Sequence, residues 1–506
     1  MSREGPAGWL EPLFETGEMR AADAWAIEQQ GVPSLDLMER AGLGLARVAA
    51  QLARPGRIRV VVGKGNNGGD GLVAARLLRE EGREVDVLAV GELDELQGDA
   101  RSNLDRLPGE PPQPFSPEAL TGSGAVVDAL LGTGFEGSVR EPAAGAIAAI
   151  NEQDAPVVAC DVPSGVNASS GEVEGEAVRA QATATFHASK IGLHVSPGAE
   201  HAGRVEVVDI GIPRGAPRAE GAGLISERVL ELFPARGRSG TKFASGVVVV
   251  VGGSAGLTGA PTMAARSAQR AGAGYVQVAV PEPAQQAVDL RLLEQMSRGL
   301  PDHEGAHTPE GVEAVEEMAE RAGAVVLGPG LGRSKGALEF ARQVARGVAV
   351  PLLIDADGLN AHAEQLELLR EREAPTVLTP HEGELGRLLG IESDEVAGRR
   401  LGSAREAAER SGAVVLLKGD DTIVMPPEGA VAISPGGTPA LATAGTGDVL
   451  SGLIGALLSK GLGAFEAAAL GTLAHVRAGL AAAESWGADH VMAGDVIDRL
   501  PAGLRR

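Results

Sequence analysis

The stretch IRVVVGKGNNGGDG (residues 58–71) decides the fold of the first half of the chain. Its apolar run predicts a buried strand, and its glycines predict a tight turn that leads into a helix. Gly63, Gly65 and Gly68 satisfy the G-x-G-x-x-G spacing of dinucleotide-binding turns, with Asp86 on the next strand as a candidate ribose ligand. An Asn-Asn pair and an aspartate have no task in an ordinary coenzyme turn, so a plain dehydrogenase fits less well. A merely structural turn is the alternative.

Around this stretch, short apolar runs alternate with longer helical patterns. In the first half the runs are IRVVVG, EVDVLAV, AVVDALL, APVVACD and RVEVVDI, and two amphipathic helices are predicted before them. The second half has GVVVVVGG, GYVQVAVP, AVVLGPG, VPLLIDAD, PTVLTPHE and AVVLLKGDD, with GDVLSGLIGALLSKG as its final, helical element. This alternation predicts α/β domains with parallel sheets between helical layers. A Gly-, Pro- and Arg-rich break (211–240) predicts a boundary near 218, and thus domains of 1–217 and 218–506.

Composition restricts the class of protein. The 506 residues are 44% hydrophobic, which is enough for the cores of several domains. Because Lys and Arg number 45 against 68 Asp and Glu, the net charge is −23, and we expect no nucleic-acid partner. Cys160 is the only cysteine, so an internal disulfide and a cysteine zinc site are excluded. No secretory leader and no membrane-spanning apolar run occur, which predicts a cytoplasmic protein with no membrane partner.

Two further loops of the first half carry unusual polar residues. Asp128 interrupts an apolar run, where its carboxylate needs either a cation or a set of hydrogen-bond donors, unless it only caps a helix. Asp161 and Ser164 follow the next predicted strand. Loops at the carboxyl ends of parallel strands meet, so Asn67, Asp128, Asp161 and Ser164 are expected near one another. Oxygen ligands with little charge suit a monovalent cation better than zinc or a tight Mg²⁺ site.

The motifs NNGGDG, D-x3-GTG-x2-G and D-x-PSG, in this order, resemble those of the NAD(P)H-hydrate epimerase domain family across about residues 10–217. The resemblance implies a Rossmann-like, doubly wound domain with Asp161 as its catalytic residue. It also implies that the hydrate is contacted by Asn66, Asn67, Gly68, Gly69, Asp70, Gly132, Thr133, Gly134, Phe135, Glu136, Gly137, Ser138 and Asp161. Potassium would be held by Asn67, Asp128 and Ser164. Lys190 looks like a family position without an assigned role.

The clearest signal of the second half is AGTGDV (residues 444–449), which opens a helix. Backbone N–H groups at such a helix start can bind a phosphoryl group, and Asp448 can accept a proton from a hydroxyl. A glycine-rich helix that merely packs closely is the alternative. Supporting loops follow the predicted strands: GGSAGLTGAP (252–261), GPGLG (328–332), DADGLN (355–360), TPHEGEL (379–385) and LKGDDT (417–422).

This order of loops resembles the ribokinase-like superfamily and, within it, the ADP- or ATP-dependent NAD(P)H-hydrate dehydratases, across about residues 222–506. The resemblance implies Mg²⁺ with ADP or ATP as cofactor and Asp448 as the catalytic residue. It implies hydrate contacts from Ala260, Gly330, Gly332, His381 and Asp448, and nucleotide contacts from Lys418, Gly419, Asp420, Asp421, Thr422 and Gly447. One departure is Thr241, which precedes Lys242 where the family leads us to expect histidine.

The two resemblances imply one repair pathway for hydrated NADH and NADPH. The first domain would interconvert the R and S epimers, and the second would dehydrate the S epimer by phosphorylating its hydroxyl at the expense of ADP or ATP. Small-molecule substrates and an assembly of identical chains are expected. The alternative is a kinase for a vitamin precursor, such as a hydroxyalkyl thiazole or a pyrimidine, with a non-catalytic nucleotide-binding module in front.

Overall fold

The structure, a computed structural model, describes residues 7–236 and 240–506. Contacts divide these residues into a first unit of residues 12–222 and a second unit of residues 7–11 and 223–506. The division falls within the Gly/Pro/Arg-rich break of the sequence. The beginning of the described chain joins the second unit.

Apolar runs form the strands of the first unit, and most of their residues are buried. Strand β1 (Leu10–Leu13) belongs to the sheet of the second unit. The strands of the first unit's own sheet are β2 (Arg57–Val62), β3 (Val85–Ala89), β4 (Gln113–Pro114), β5 (Ser123–Ala129), β6 (Val157–Cys160), β7 (Ala182–Phe186) and β8 (Arg204–Val208). The helices are α1 (Thr16–Ala24), α2 (Ser34–Leu52), α3 (Asn66–Glu80), α4 (Gly98–Asp105), α5 (Ala143–Asn151) and α6 (Gly198–Ala202). A π-helical segment, Trp25–Gln29, continues α1.

Strand β2 lies at the centre of the first unit's sheet. Within the described residues the strand order is β4-β3-β2-β5-β6-β7-β8, and every neighbouring pair is parallel. Val60 and Val62 pack with α2 and α3 on one face, and Val61 packs with α5 on the other, which gives three layers. The chain builds outward from β2 to β4 and then returns to β5 on the other side of β2. The loops after β2, β5 and β6 therefore meet at the switch point, where open parallel sheets bind ligands.

The second unit is larger and repeats the alternation of strands and helices. Its strands are β9 (Ala222–Ile225), β10 (Val247–Val251), β11 (Tyr275–Pro281), β12 (Met296–Leu300), β13 (Asp302–His303), β14 (Ala306–His307), β15 (Ala324–Leu327), β16 (Leu352–Ile354), β17 (Thr376–Leu378), β18 (Val414–Leu417), β19 (Ile423–Met425) and β20 (Val431–Ile433). Its helices are α7 (Gly259–Arg270), α8 (Glu282–Asp289), α9 (Val312–Ala319), α10 (Lys335–Gly347), α11 (Asp357–Asn360), α12 (Glu382–Leu389), α13 (Ser393–Gly398), α14 (Arg400–Ser411), α15 (Thr446–Ser459), α16 (Ala464–Trp486) and α17 (Ala493–Gly503). None of the helices in the described ranges is both long and apolar enough to cross a membrane.

The main sheet of this unit has a parallel centre and an antiparallel end. In the part of the chain that the structure describes, its order is β1-β9-β20-β19-β18-β17-β16-β15-β10-β11-β12. The pairs from β18 to β12 are parallel, whereas β18 with β19 and β19 with β20 are antiparallel. Strands β10, β15, β16, β17 and β18 are consecutive neighbours, so the loops that follow them meet at one edge.

The predicted α/β class with parallel sheets is confirmed, and each quoted apolar run contains a strand. The sequence prediction missed β7 and β12, whose sequences ATATF and MSRGL lack a continuous run of large apolar residues. It also missed the short strands β19 and β20, which read as loop without their antiparallel partners. The prediction that α15 is the final element was wrong, because α16 and α17 follow it. Helix α16 is rich in alanine and helix α17 is short, which weakens the apolar periodicity that would predict each helix.

Helices α7 and α15 approach each other closely at a glycine. A Cβ atom on Gly452 of α15 would overlap the backbone carbonyl oxygen of Ala264 in α7. By contrast, a Cβ on Gly402, within α14, would meet no atom within 4 Å. Close packing therefore requires a glycine at position 452 but not at position 402.

We predict opposite effects of alanine at these two positions. Gly452→Ala should lower the free energy of unfolding by about 1–3 kcal/mol because the helices must separate. Gly402→Ala, the matched control, should leave it unchanged or raise it by roughly 0.5–1 kcal/mol through its better helix propensity. Urea unfolding of the full chain measures both. Equal stabilities of the two variants would contradict the close packing of α7 and α15.

Candidate functional site

A cavity of about 990 Å³ lies in the first unit, where the loops after β2, β5 and β6 meet. Helix α1 supplies a further part of its wall, including Met19, Arg20 and Asp23. Among the predicted hydrate contacts, those that line it are Asn66, Asn67, Asp70, Gly132, Thr133, Gly134, Phe135 and Asp161. The lining does not include Gly68, Gly69, Glu136, Gly137 or Ser138.

The glycines of the first loop allow two segments to touch. A Cβ on Gly68 would overlap the carbonyl oxygen of Gly63, so the helix start can fold back on the strand end only without side chains there. Gly65 precedes α3 and has no side chain that could cap the helix. The N–H groups of the first helical turn therefore have no capping side chain as a partner. The Asn67 amide donates to the carbonyl oxygen of Leu131 at 2.8 Å and so joins the first loop to the second.

Asp128 is completely buried, and the structure supplies the donors that its burial requires. Ser164 donates its backbone N–H to Oδ2 at 2.8 Å and its hydroxyl to Oδ1 at 2.6 Å, and the Leu130 N–H reaches Oδ1 at 3.3 Å. Burial raises the pKa of Asp128 to about 6, although these hydrogen bonds oppose the shift. The carboxylate joins the ends of β5 and β6 through hydrogen bonds.

The three predicted potassium ligands form a cluster of oxygen atoms. Ser164 contacts Asp128 directly, and both Ser164 and Asn67 contact the Leu131 backbone. Asn67 uses its amide nitrogen for Leu131, so its Oδ1 is available to a cation. Within the described ranges Asp128 has no salt-bridge partner, and its negative charge is uncompensated. This donor set fits a monovalent cation. Elsewhere in those ranges no group of three or more His, Cys, Asp or Glu side chains is placed to hold a metal ion.

Asp161 is held in an uncommon backbone conformation directly after β6. Its φ is 65°, in the left-handed region that non-glycine residues rarely adopt. Its Oδ1 atom accepts hydrogen bonds from Lys190 Nζ at 2.5 Å, the Phe186 N–H at 3.0 Å and Thr185 Oγ1 at 3.1 Å. These three donors fix the carboxylate at the cavity wall.

Lys190, whose role the sequence left unassigned, is the counter-ion of Asp161. Its side chain is completely buried, and the ammonium group also donates to Thr185 Oγ1 at 2.9 Å and to the Phe186 carbonyl at 2.8 Å. All three protons therefore have acceptors. A lysine in the apolar stretch ATFHASKIGL was the available sequence signal, because a buried ammonium requires a carboxylate.

The sequence analysis missed Asp23, a cavity-lining residue of α1. Burial raises the pKa of Asp23 to about 6; Lys190 opposes this shift and Asp161 adds to it. Burial likewise raises the pKa of Asp70 well above its usual value, with further contributions from Asp161 and Asp23. Asp23 lies in an amphipathic helix, where an aspartate reads as part of the solvated face. No local sequence signal could have identified it.

The second site is built around the start of α15 in the second unit. Gly445 precedes the helix with φ 92°, a conformation that suits glycine. Thr446 Oγ1 donates to the carbonyl oxygens of Leu441 and Thr443, each at 2.8 Å, and fixes the turn. Asp448 lies in the first helical turn, where the N–H groups concentrate positive partial charge.

Three carboxyl groups and one ammonium group form the centre of this site. Lys418 Nζ lies 3.0 Å from Asp355 Oδ1 and 3.5 Å from Glu384 Oε2. Burial would lower the pKa of Lys418, but Asp355 and Glu384 outweigh it, and the pKa is raised. Burial raises the pKa of Asp448 to about 7, with Asp355 and Glu384 adding to the shift and Lys418 opposing it. The sequence analysis quoted the loops of Asp355 and Glu384 but assigned neither residue a role.

The other predicted hydrate contacts are positioned by neighbouring loops. His381 begins α12, and its Nδ1 accepts the N–H groups of Gly383 at 3.0 Å and Glu384 at 3.3 Å, so its Nδ1 is an acceptor. Gly330 lies against Ala260, since a Cβ on Gly330 would be 3.2 Å from the Ala260 Cβ. Gly332 donates its N–H to Asp357 Oδ2 at 3.0 Å.

The predicted nucleotide contacts divide into two groups. Gly447 and Lys418 are adjacent, because a Cβ on Gly447 would lie 3.7 Å from Lys418 Nζ. Three others bond inside the protein: Asp420 with the Gly437 N–H (3.0 Å), Asp421 with Arg400 (3.0 Å), and Thr422 with the Gly419 carbonyl (2.7 Å). Arg400, which sequence analysis missed, also bonds Glu382 and the Lys418 carbonyl and so shapes this loop.

Thr241 and Lys242, where the sequence departs from the expected pattern, lie before β10. Lys242 Nζ is 5.0 Å from the ring centre of Tyr275 and 5.1 Å from that of Phe243, and Thr241 Oγ1 accepts the Ala244 N–H at 3.2 Å. Lys242 therefore has aromatic neighbours rather than a carboxylate.

Comparison with known proteins agrees with both halves of this description. The family model described as YjeF-related protein N-terminus matches residues 34–192, and the model described as NAD(P)H-hydrate dehydratase matches residues 248–502. A bifunctional NAD(P)H-hydrate repair enzyme of Salinibacter ruber is 42% identical over 83% of this chain and 82% of its own length. The enzyme of that name from Moorella thermoacetica is 40% identical over 97% of this chain and 96% of its own.

A solved structure of the ADP/ATP-dependent NAD(P)H-hydrate dehydratase of Bacillus subtilis, co-crystallised with ATP and Mg²⁺, is 28% identical and has a TM-score of 0.46. The match covers 55% of this chain and 95% of that one. The two resemblances predicted from the motifs are confirmed by the family models and by relatives that span nearly the whole sequence. The chain belongs to the family of bifunctional NAD(P)H-hydrate repair enzymes.

Proposed function

We propose that this chain repairs hydrated NADH and NADPH in two steps. The first domain interconverts the R and S epimers of the hydrate, and the second returns the S epimer to the reduced coenzyme at the expense of ADP or ATP. The observation that carries the proposal is that each unit of this chain has a lysine paired with a buried aspartate, beside a further carboxyl group whose pKa is raised. A vitamin-precursor kinase is not favoured, because relatives named as bifunctional repair enzymes match both halves.

Asp161 is the residue that we assign to proton transfer in the epimerase. The C6 carbon of the hydrate carries a hydroxyl group and the ring nitrogen, so it can open to an aldehyde and close again on the other face. Opening requires a base for the hydroxyl proton. Asp161 lines the cavity, and Lys190 holds its Oδ1 atom, which leaves Oδ2 to meet a substrate. Asn67, Asp128 and Ser164 would hold potassium, which supplies positive charge to the loops that form the cavity floor.

Asp448 is the residue that we assign to proton removal in the dehydratase. Hydroxide is a poor leaving group, whereas phosphate is a good one. Asp448 would accept the hydroxyl proton as the oxygen attacks the terminal phosphoryl group and the bond from this group to the rest of the nucleotide breaks. Phosphate would then leave with the C6–O electrons while the N1 lone pair forms a C6=N1 bond, and loss of the C5 proton would form the C5=C6 bond and return the lone pair to N1. Gly447 and Lys418 are adjacent beside this turn, which supports the proposal that they contact the nucleotide phosphates. Mg²⁺ would enter with the nucleotide, held chiefly by phosphate oxygens, and neutralise their charge.

Three parts of this assignment stay predictions. They are the division into domains of 1–217 and 218–506, the cytoplasm as compartment, and an assembly of identical chains. The proposed activity itself is tested with mixed hydrate epimers. With ADP or ATP, the intact chain should restore the absorbance of the reduced ring from both epimers; without nucleotide, it should only equilibrate them.

Asp161→Asn should lower the rate of epimerisation by ~10² or more, because the amide cannot accept the hydroxyl proton. Dehydration of the isolated S epimer should stay at the wild-type rate. Chromatographic separation of the epimers measures the first rate, and absorbance of the reduced ring measures the second. Asp154→Asn, a change at an exposed aspartate before β6, is the matched control and should behave as wild type. Wild-type epimerisation by Asp161→Asn would remove this residue from the mechanism.

Asp128→Asn should weaken the potassium dependence of epimerisation, because it removes the only charge of the proposed cation site. We expect the potassium concentration for half-maximal activity to rise by roughly tenfold, the effect of losing about 1.4 kcal/mol of binding free energy. Titration of potassium into potassium-free protein measures it, and Asp154→Asn again serves as the control. An unchanged potassium requirement would place the cation elsewhere.

Asp448→Asn should bind nucleotide almost normally but lose nucleotide-dependent dehydration by at least ~10², with epimerisation unchanged. Asp489→Asn, at an exposed aspartate of the same unit, is the control. Because the pKa of Asp448 is raised to about 7, the base is mostly protonated below that pH. The dehydration kcat/KM of the wild type should therefore rise about fivefold from pH 6 to 7, about tenfold from pH 6 to 8, and level off above pH 8. A flat profile, or full activity of Asp448→Asn, would exclude Asp448 as the base.

A further inference from the structure

Asp23 occupies an unusual position on α1. It lines the 990 Å³ cavity together with Asp161 and Asp70, although it comes from a helix and not from a strand-end loop. Within residues 7–236 and 240–506, no hydrogen bond to the Asp23 carboxylate contributes to the shift of its pKa. Asp23 interacts with Lys190 and Asp161 only through their charges. The carboxylate is thus half-buried, unpaired and open to whatever fills the cavity.

The charges of the cavity leave Asp23 able to change its protonation state. Among the described residues, Lys190 is the one buried ammonium group beside the three carboxyl groups, and it donates its protons to Asp161, Thr185 and Phe186. Asp70 is buried, and burial raises its pKa well above the usual range, with Asp161 and Asp23 adding to the shift. Asp161 is held by its own lysine, whereas Asp23 has no salt-bridge partner among the described residues and burial raises its pKa to about 6, so Asp23 can exchange a proton near neutral pH.

The chemistry of epimerisation requires a second such group. When the ring opens, the O–H bond of the C6 hydroxyl and the C6–N1 bond break, and the C6=O bond forms. The hydroxyl proton goes to a carboxylate, and the electron pair left on N1 takes up a proton from a carboxylic acid. Reclosure on the other face of the aldehyde reverses both transfers. The proton leaves one atom of the substrate, the C6 hydroxyl oxygen, and another proton reaches a different atom, N1. Two carboxyl groups can carry out both transfers at once, whereas a single group would have to move between the two atoms.

We infer that Asp23 is the second proton-transfer residue of the epimerase, the partner of Asp161 that exchanges a proton with the ring nitrogen of the opened hydrate. The inference rests on the proposed epimerase function. Asp161, held in place by Lys190, takes the hydroxyl proton, and Asp23 in its acid form protonates N1. On reclosure Asp23 recovers the N1 proton and Asp161 returns its proton to the new hydroxyl, so neither protons nor electrons are lost.

If the role of Asp23 were purely structural, its replacement would lower the melting temperature. The environment of Asp23 predicts the opposite. A half-buried carboxylate without a hydrogen-bond partner costs folding stability, so a neutral amide of the same shape should leave the melting temperature unchanged or raise it. Loss of activity in a variant that is at least as stable as the wild type cannot then be attributed to unfolding.

The test compares Asp23→Asn, Asp23→Ala and Glu28→Gln in the full-length protein. Glu28 is an exposed acid of the adjoining π-helical segment that does not line the cavity, so its variant removes the same charge outside the site. We expect Asp23→Asn and Asp23→Ala to lower kcat of epimerisation by ~10² or more, and Glu28→Gln to match the wild type. Dehydration of the isolated S epimer should be unchanged in all three. Formate added to Asp23→Ala should restore part of the lost rate in proportion to its concentration.

The outcomes separate this inference from the proposed function. If the wild type does not interconvert isolated epimers, the epimerase function itself fails. If the wild type does so and Asp23→Asn matches it, or if formate leaves Asp23→Ala unchanged, Asp23 is no proton-transfer residue while the epimerase function stands. A rise in KM with unchanged kcat would make Asp23 a binding residue and would also overturn the inference.

Discussion

In each unit, a lysine that lies against a buried aspartate at the end of a parallel strand organises the ionisable groups. In the first unit Lys190 contacts Asp161, which follows β6, at 2.5 Å. In the second, Lys418 contacts Asp355, which follows β16, at 3.0 Å. An unpaired charge at either position would be strongly unfavourable, so each member of a pair requires the other. Each pair occupies its lysine, and the neighbouring Asp23 and Asp448 have no salt bridge within the described residues.

Burial, which the nearby lysines offset only in part, explains why Asp23 and Asp448 titrate near neutral pH. Asp23 has a pKa of about 6 and Asp448 one of about 7, both raised chiefly by burial. In each case the folded-state pKa exceeds the usual value, so folding is favoured by protonation. Stability is highest when the group is protonated and declines as the pH rises from about 4 towards the folded-state pKa. The sites therefore lower the stability of the fold in exchange for groups that can both accept and release protons at neutral pH.

The sequence predicted the strand-end loops well because their positions follow from the order of the strands. NNGGDG, the Asp128 and Asp161 loops, and AGTGDV are local motifs, and parallel strands bring them together without further information. Asp23 and Arg400 were missed because each reaches its site from a helix face whose direction depends on tertiary packing. Lys190 was noticed but not explained, since its partner lies 29 residues earlier in the chain. Which buried charges pair with each other depends on the fold, and the partners have no fixed separation in the sequence that would identify them.

The first residues of the described chain show a dependence that the sequence concealed. Trp9 packs against Phe465 with ring centres 5.5 Å apart, and Ser226 donates its hydroxyl to the Trp9 carbonyl at 2.6 Å. Residues 7–11 thus belong to the second unit, and the first unit is an insertion between them and residue 223. A cut near 218 would remove an aromatic partner from α16 and a neighbour from β9. Because the second unit uses both sides of the insertion, the stability of its edge depends on a segment that the chain synthesises before the first unit.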